Sequence, residues 1–156
     1  MVVTDLITPD RVMCGKGFTS KKRLLEQLSI LLAESAQAVS QGEIFESLFN
    51  RERLGSTGLG KGVAIPHGRI SGLTQPVCAF VKLDDPVAFD SPDNQPVDLL
   101  FALLVPEEST EEHLHLLANI AEMFSNPEIC DGLRNCTDVN SIIDLLGRWE
   151  SRRISA

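Results

Sequence analysis

The chain has 156 residues and a mass of 17.1 kDa, a common size for one domain and long enough to bury roughly 70% of the surface it exposes when unfolded. Fourteen Lys and Arg stand against 22 Asp and Glu, a formal charge of −8, so the basic footprint of a nucleic-acid binder is missing. The longest purely apolar run, Leu99 to Val105, falls far short of the ~20 residues a membrane-crossing helix needs, so no membrane insertion is expected.

The start, Met1-Val2-Val3-Thr4-Asp5, lacks the charged and apolar regions of a signal peptide. Cys14, Cys78, Cys130 and Cys136 are irregularly spaced and read as reduced thiols of a cytoplasmic protein. A first strand is expected over Val2 to Ile7 or around Val12 to Cys14. After Thr19-Ser20, the spacing of Leu24, Leu25, Leu28, Leu31 and Leu32 predicts an amphipathic helix. Ser40-Gln41-Gly42-Glu43 has the form of a capping box, and the helix it opens should end near Arg53-Leu54-Gly55. A glycine-rich stretch from Gly55 to Gly62 leads into a short strand, Val63 to Pro66, broken by its proline. Further strands are expected at Val77 to Leu83 and Val97 to Val105, the latter apolar enough to be covered on both faces. The last third reads as helical. Ser109-Thr110-Glu111-Glu112 resembles a capping box, Ser125-Asn126-Pro127-Glu128 a further cap, and a final helix spans about Asp138 to Trp149. Together these elements imply helices on both faces of one sheet.

Three histidines are present: His67, His113 and His115. His67 lies in Ala64-Ile65-Pro66-His67-Gly68-Arg69, where a strand delivers it, proline fixes the backbone before it, and glycine after it allows close approach by another molecule. The segment fits a presented imidazole and equally a polar turn residue. His113 and His115 sit two apart, about 200° around a helix. With the apolar face taken as Leu114, Leu117, Ala118, Ala121 and Phe124, His113 lies about 75° from its centre and His115 about 125°. His113, in the first turn where an anion is favoured, is thus the expected phosphate partner for His67, and His115 is expected to face solvent.

Gly55-Ser56-Thr57-Gly58-Leu59-Gly60-Lys61 matches most of a nucleotide-binding P-loop, but the next residue is Gly62, without a hydroxyl for magnesium, and the segment runs from helix to strand, the reverse of a P-loop. The glycines are expected instead to let the loop pack under His67, with backbone N–H groups available to a phosphoryl group. Zinc on three histidines is a sharper alternative, although a spacing of two on a helix does not suit it. No cofactor or metal is expected.

The segment Arg51 to Arg69, with Arg51-Glu52-Arg53-Leu54-Gly55-Ser56-Thr57-Gly58 and Ile65-Pro66-His67-Gly68-Arg69, resembles the active-site signature of the mannitol/fructose-type IIA domains of the bacterial phosphoenolpyruvate-dependent phosphotransferase system. Asp93 to Pro106, followed by His113-Leu114-His115, resembles more closely the nitrogen-regulatory branch of that family. The resemblance covers roughly Leu6 to Leu146. It implies one EIIA type-2 domain over residues 1–156, a three-layer α/β/α fold with a mixed sheet flanked by helices. It implies that His67 receives a phosphoryl group on Nε2 from a small HPr-like phosphocarrier, that His113 supports the phosphate, and that Arg51 lies near the phosphohistidine. It assigns nothing to Arg53. Two functions follow: a IIA component passing phosphate to a sugar-specific IIB domain, or a regulator whose phosphorylation state selects its partners, with potassium transport and sensor kinases among the family's targets. No IIB or membrane segment is read in these residues, so an onward acceptor is expected to be a separate protein, and the regulatory reading is favoured.

Overall fold

The computed structural model describes residues 5–18, 20–36, 39–108 and 110–155. In chain order the elements are a 3-10 turn Pro9–Arg11, β1 (Val12–Lys16), α1 (Lys21–Ala33), α2 (Gln41–Leu54), β2 (Gly58–Gly60), β3 (Val63–Ala64), β4 (His67–Ile70), β5 (Val77–Val87), β6 (Val97–Pro106), α3 (Thr110–Phe124), α4 (Pro127–Asn135) and α5 (Val139–Ser155). Of the two expected sites for the first strand, the later one is correct. Residues 2–4 of the earlier one lie outside the described residues, and Leu6 and Ile7 are buried but not in a strand.

The strands form one mixed sheet in the order β1-β5-β6-β3-β2, with β4 also paired to β6. β6 is its spine. It runs antiparallel to β5 and parallel to both β3 and β4. Period-two alternation divides the core. Leu99, Phe101, Leu103 and Val105 pack with Leu116, Ile120, Met123, Leu133, Ile142 and Leu146 of α3, α4 and α5. Leu100, Ala102 and Leu104 pack with Leu24, Leu28, Ile44 and Leu48 of α1 and α2. The result is the expected three-layer α/β/α arrangement.

The caps hold as local sequence dictates. Ser40 accepts from the Glu43 backbone N–H while the Glu43 carboxylate accepts from the Ser40 backbone N–H, a complete capping box. Asn126 caps α4, with Pro127 at its start. The box expected at Ser109 falls on a residue outside those described.

Three expectations are corrected. The β5 strand runs past Leu83 to Val87, because Val87 regains β6 at Val97 after an irregularity in register. The short strand expected over Val63 to Pro66 covers only Val63 and Ala64, and a further strand, β4, begins beyond the proline at His67. Pro66, lacking an N–H, separates β3 from β4, and both align on β6, with Val63 opposite Leu99 and His67 opposite Leu103. The phase of α3 also differs: Leu114 is 67% exposed and Ala118 is exposed, while Leu116, Ile120, Met123 and Phe124 are buried. The buried stripe is therefore rotated by about 110° from the expected face. This brings His113 nearer its centre and leaves His115 exposed.

Candidate functional site

His67 opens β4. It pairs in parallel register with Leu103, whose side chain faces α3, so His67 presents its ring on that same face. Gly68, one residue on, faces α2. A Cβ there would run into the hydroxyl of Ser47 and stand 3.3 Å from the Ser47 carbonyl carbon. The glycine therefore admits the chain's own helix rather than a second molecule. That close approach lays α2 along β4, with the Ser47 hydroxyl donating to the Arg69 carbonyl at 3.0 Å. One turn further along α2 comes Arg51.

These elements enclose a cavity of about 940 Å³ lined by His67, Arg69, Arg51, Asn50, His113 and Glu107, with Leu54, Leu114 and Leu117 at its apolar parts. The three residues singled out from the sequence, His67, His113 and Arg51, all line it. His115 and Lys61 do not. The rings of His67 and His113 meet edge to face, with centroids 5.3 Å apart. His67 Nδ1 lies 2.8 Å from the Ile65 carbonyl. A carbonyl only accepts, so Nδ1 carries the proton and the lone pair of the neutral ring is on Nε2. His113 Nε2 is buried without a hydrogen-bond partner, a costly state for a polar atom unless something polar enters the cavity beside it. Arg51 donates from Nη1 to the Gly55 carbonyl at 2.9 Å.

The electrostatics keep both rings neutral near pH 7. Burial holds the His67 imidazole below its ordinary value. The Ile65 carbonyl pulls the other way, and the Arg51 charge adds to the depression. His113 is lowered to about 4, first by burial, then by His67, Arg69 and Arg51. Two neutral rings beside two guanidinium groups, against the single carboxylate of Glu107, make a site that favours an anion.

The glycine-rich segment packs beside His67 as expected, and Ser56, Thr57, Gly58 and Leu59 line a smaller cavity with His67 and Arg51. Three of its N–H groups are engaged within the chain: Thr57 with Glu52, Gly58 with the Ser56 hydroxyl, and Lys61 with Asp93. Gly62 has φ +81°, and a Cβ on it would stand 2.6 Å from Arg134 Nη2 and 2.8 Å from Asp98 Oδ1. Arg134 grips Asp98 through two nitrogens and also donates to the Lys61 carbonyl. A hydroxyl residue at 62, as a P-loop needs, has no room.

The sequence alone gives Arg69 no role. The His-Gly-Arg segment reads locally as a turn. Once it is a strand, a spacing of two puts Arg69 on the face of His67, opposite Val105. Glu52, between two arginines, looks like a solvated helix residue, yet it is buried.

A model of the family described as phosphoenolpyruvate-dependent sugar phosphotransferase system, EIIA 2, matches residues 5–149. A nitrogen regulatory protein of Pseudomonas aeruginosa is 46% identical over 142 residues, 91% of this chain and 92% of that one. The crystal structure of nitrogen regulatory protein IIA-Ntr from Neisseria meningitidis superposes with a TM-score of 0.87 at 43% identity, covering 92% of this chain and 98% of that one. IIA mannitol of Escherichia coli shares the fold, with a TM-score of 0.76 at 17% identity over 90% of this chain and 98% of its own. Among the described residues no helix is long and apolar enough to cross a membrane.

Proposed function

The chain belongs to the EIIA 2 family of the phosphoenolpyruvate-dependent sugar phosphotransferase system, and from that premise we propose that it is a phosphoryl-accepting regulatory IIA protein, working in the cytoplasm as one domain over residues 1–156. The donor is the phosphohistidine of an HPr-like phosphocarrier. The lone pair on His67 Nε2 attacks phosphorus, the P–N bond to the carrier breaks, and the carrier's imidazole leaves with that electron pair. The Nδ1 proton stays on His67, where the Ile65 carbonyl stabilises the positive charge that develops on the ring. Transfer of this kind depends on positioning and charge neutralisation, which His113 and Arg51 supply.

The observation that carries this reading is the buried, unpartnered Nε2 of His113 beside the His67 ring. A neutral His113 with its proton on Nε2 donates to a phosphoryl oxygen, and the arriving dianion raises the affinity of His113 for a second proton. The regulatory role is supported by relatives at 46% and 43% identity being named nitrogen regulatory proteins. Its targets are separate proteins, with a potassium transporter or a sensor kinase as the first to try.

The test is a pull-down with phosphorylated wild type, unphosphorylated wild type and His67→Ala. Partners that are not transport IIB domains and that separate the phosphorylated form from the other two support the switch. A sugar-specific IIB acceptor discharging the protein supports the transport role instead.

A further inference from the structure

We infer that Glu52 is a positioning residue of the phosphoryl-acceptor site, setting His67 and Arg51 together through the turn at Gly55 and Thr57. The inference rests on reading His67 as the acceptor. Glu52 lies in the last turn of α2 and is 7% exposed. A buried carboxylate is costly unless fully matched, and this one is matched on both oxygens. Oε1 accepts from the Thr57 backbone N–H at 3.0 Å and pairs with Lys21 Nζ at 2.8 Å, and Oε2 accepts from the Thr57 hydroxyl at 2.5 Å. Lys21 arrives from α1, 4.6 Å above the Phe89 ring.

Two branches leave this anchor. In the first, the Thr57 carbonyl accepts from the Ile65 N–H at 3.0 Å, and the Ile65 carbonyl accepts from His67 Nδ1. Thr57 is itself 6% exposed and Ile65 3%, so neither can turn to water for another partner. Pro66 follows, with its φ fixed by the ring, which narrows the choices left to the Ile65 carbonyl. In the second branch, the Gly55 N–H donates to the Glu52 backbone carbonyl at 3.2 Å, and the Gly55 carbonyl receives Arg51 Nη1. Ser56, between them, donates to the Phe89 carbonyl and accepts from the Gly58 N–H, so the turn is fixed on both sides.

The consequence is chemical. Nδ1 must be the protonated nitrogen for Nε2 to be nucleophilic, and the tautomer is set by what Nδ1 faces. Loosening Thr57 loosens the Ile65 peptide and hence the tautomer, while Arg51 loses its stop on Gly55. The negative charge of Glu52 is met by Lys21, and its pull on the His67 proton is the smallest of the influences there, so its main part is placement.

The test compares Glu52→Gln, Thr57→Val and Thr57→Ser in the full chain. Imidazole nitrogen-15 shifts of His67 are read on the unphosphorylated protein, beside kcat and KM for phosphoryl acceptance from the carrier. Thr57→Val keeps the shape and the backbone N–H but removes the hydroxyl donor. Glu52→Gln turns one acceptor into a donor. Both are expected to lower the Nδ1–H fraction and to cut kcat by about ten- to a hundredfold, as loss of fine positioning does, with KM within about twofold because carrier binding is untouched. Thr57→Ser is expected to retain both properties. Wild-type shifts and kcat in folded Glu52→Gln and Thr57→Val overturn the inference, as does a loss of rate with the tautomer intact. If Glu52→Gln fails to fold, Thr57→Val decides. If the wild type is not phosphorylated on His67, the acceptor reading fails, and the tautomer shifts still judge Glu52.

Discussion

Gly68→Ala is the substitution whose effect is most directly worked from the geometry. The backbone at 68 lies outside the left-handed region, so alanine is allowed by conformation and its stiffer unfolded chain contributes about 0.4–1 kcal/mol in favour of folding. Against this, the new methyl meets the Ser47 hydroxyl inside contact distance and the Ser47 carbonyl carbon at 3.3 Å. The hydroxyl can rotate away, at the loss of its bond to the Arg69 carbonyl, but backbone of α2 cannot. Overpacking of this sort costs about 1–3 kcal/mol, so the net expectation is a loss of about 1–2 kcal/mol, or about 2–8 °C in Tm for a chain of this size. The larger effect is on rate. Relief requires α2 to lift from β4, and α2 carries Arg51. A displacement of about 1 Å at the reacting groups costs about a hundredfold. Urea melts and carrier-dependent phosphorylation rates measure both quantities, and the double variant Gly68→Ala with Ser47→Gly should recover part of each. Wild-type stability and rate in Gly68→Ala would refute the packing argument, and a fall in rate wholly matched by unfolded protein would refute the coupling to Arg51.

Arg51→Lys should slow phosphoryl acceptance by at least tenfold with the melting temperature within a few degrees, since lysine cannot reproduce a planar fork and a helix-end charge contributes about 0.3–1 kcal/mol. Arg53→Lys, whose guanidinium rests over Phe49, should leave the rate unchanged. His113→Asn should slow transfer or shorten the phosphohistidine lifetime, whereas His115→Ala should do neither, which time-resolved intact mass checks. His113 is lowered to about 4 from 6.5, so between those values the unfolded chain binds more protons and stability rises with pH. Denaturant melts should therefore show stability falling as pH drops from about 6.5 towards 4, less steeply in His113→Asn. Gly62→Ser, which rebuilds the P-loop motif, should destabilise the fold through Arg134 and Asp98 and confer no magnesium-ATP binding by calorimetry.

What the sequence made legible follows the range of the forces involved. The capping box at Ser40 and Glu43 and the unbroken apolar run Leu99 to Val105 are local, and the structure keeps the box and covers the strand on both faces. His67, His113 and Arg51 share one cavity, and the long motif is what links them in the sequence. Counting apolar residues around Leu114 selects the wrong face of α3, because this helix is apolar on two sides. Leu116, Ile120 and Met123 go to the core, and Leu114 goes to the cavity. β4 was invisible because His-Gly-Arg has no strand propensity of its own. Its pairing comes from β6, more than thirty residues away. Glu52 was passed over because its burial depends on Lys21, thirty-one positions earlier, and on a threonine in a loop whose glycines drew attention to themselves.

The central claim is that His67 Nε2 accepts a phosphoryl group. Incubation of the intact chain with phosphoenolpyruvate, the first enzyme of the system and the HPr-like carrier, followed by intact mass, site mapping and nitrogen-15 and phosphorus-31 spectra, tests it directly. One acid-labile, base-stable phosphoryl group is expected on Nε2 of His67, absent from His67→Ala. A phosphoryl group on another residue or on Nδ1, or one that His67→Ala still acquires at the wild-type rate, would contradict it.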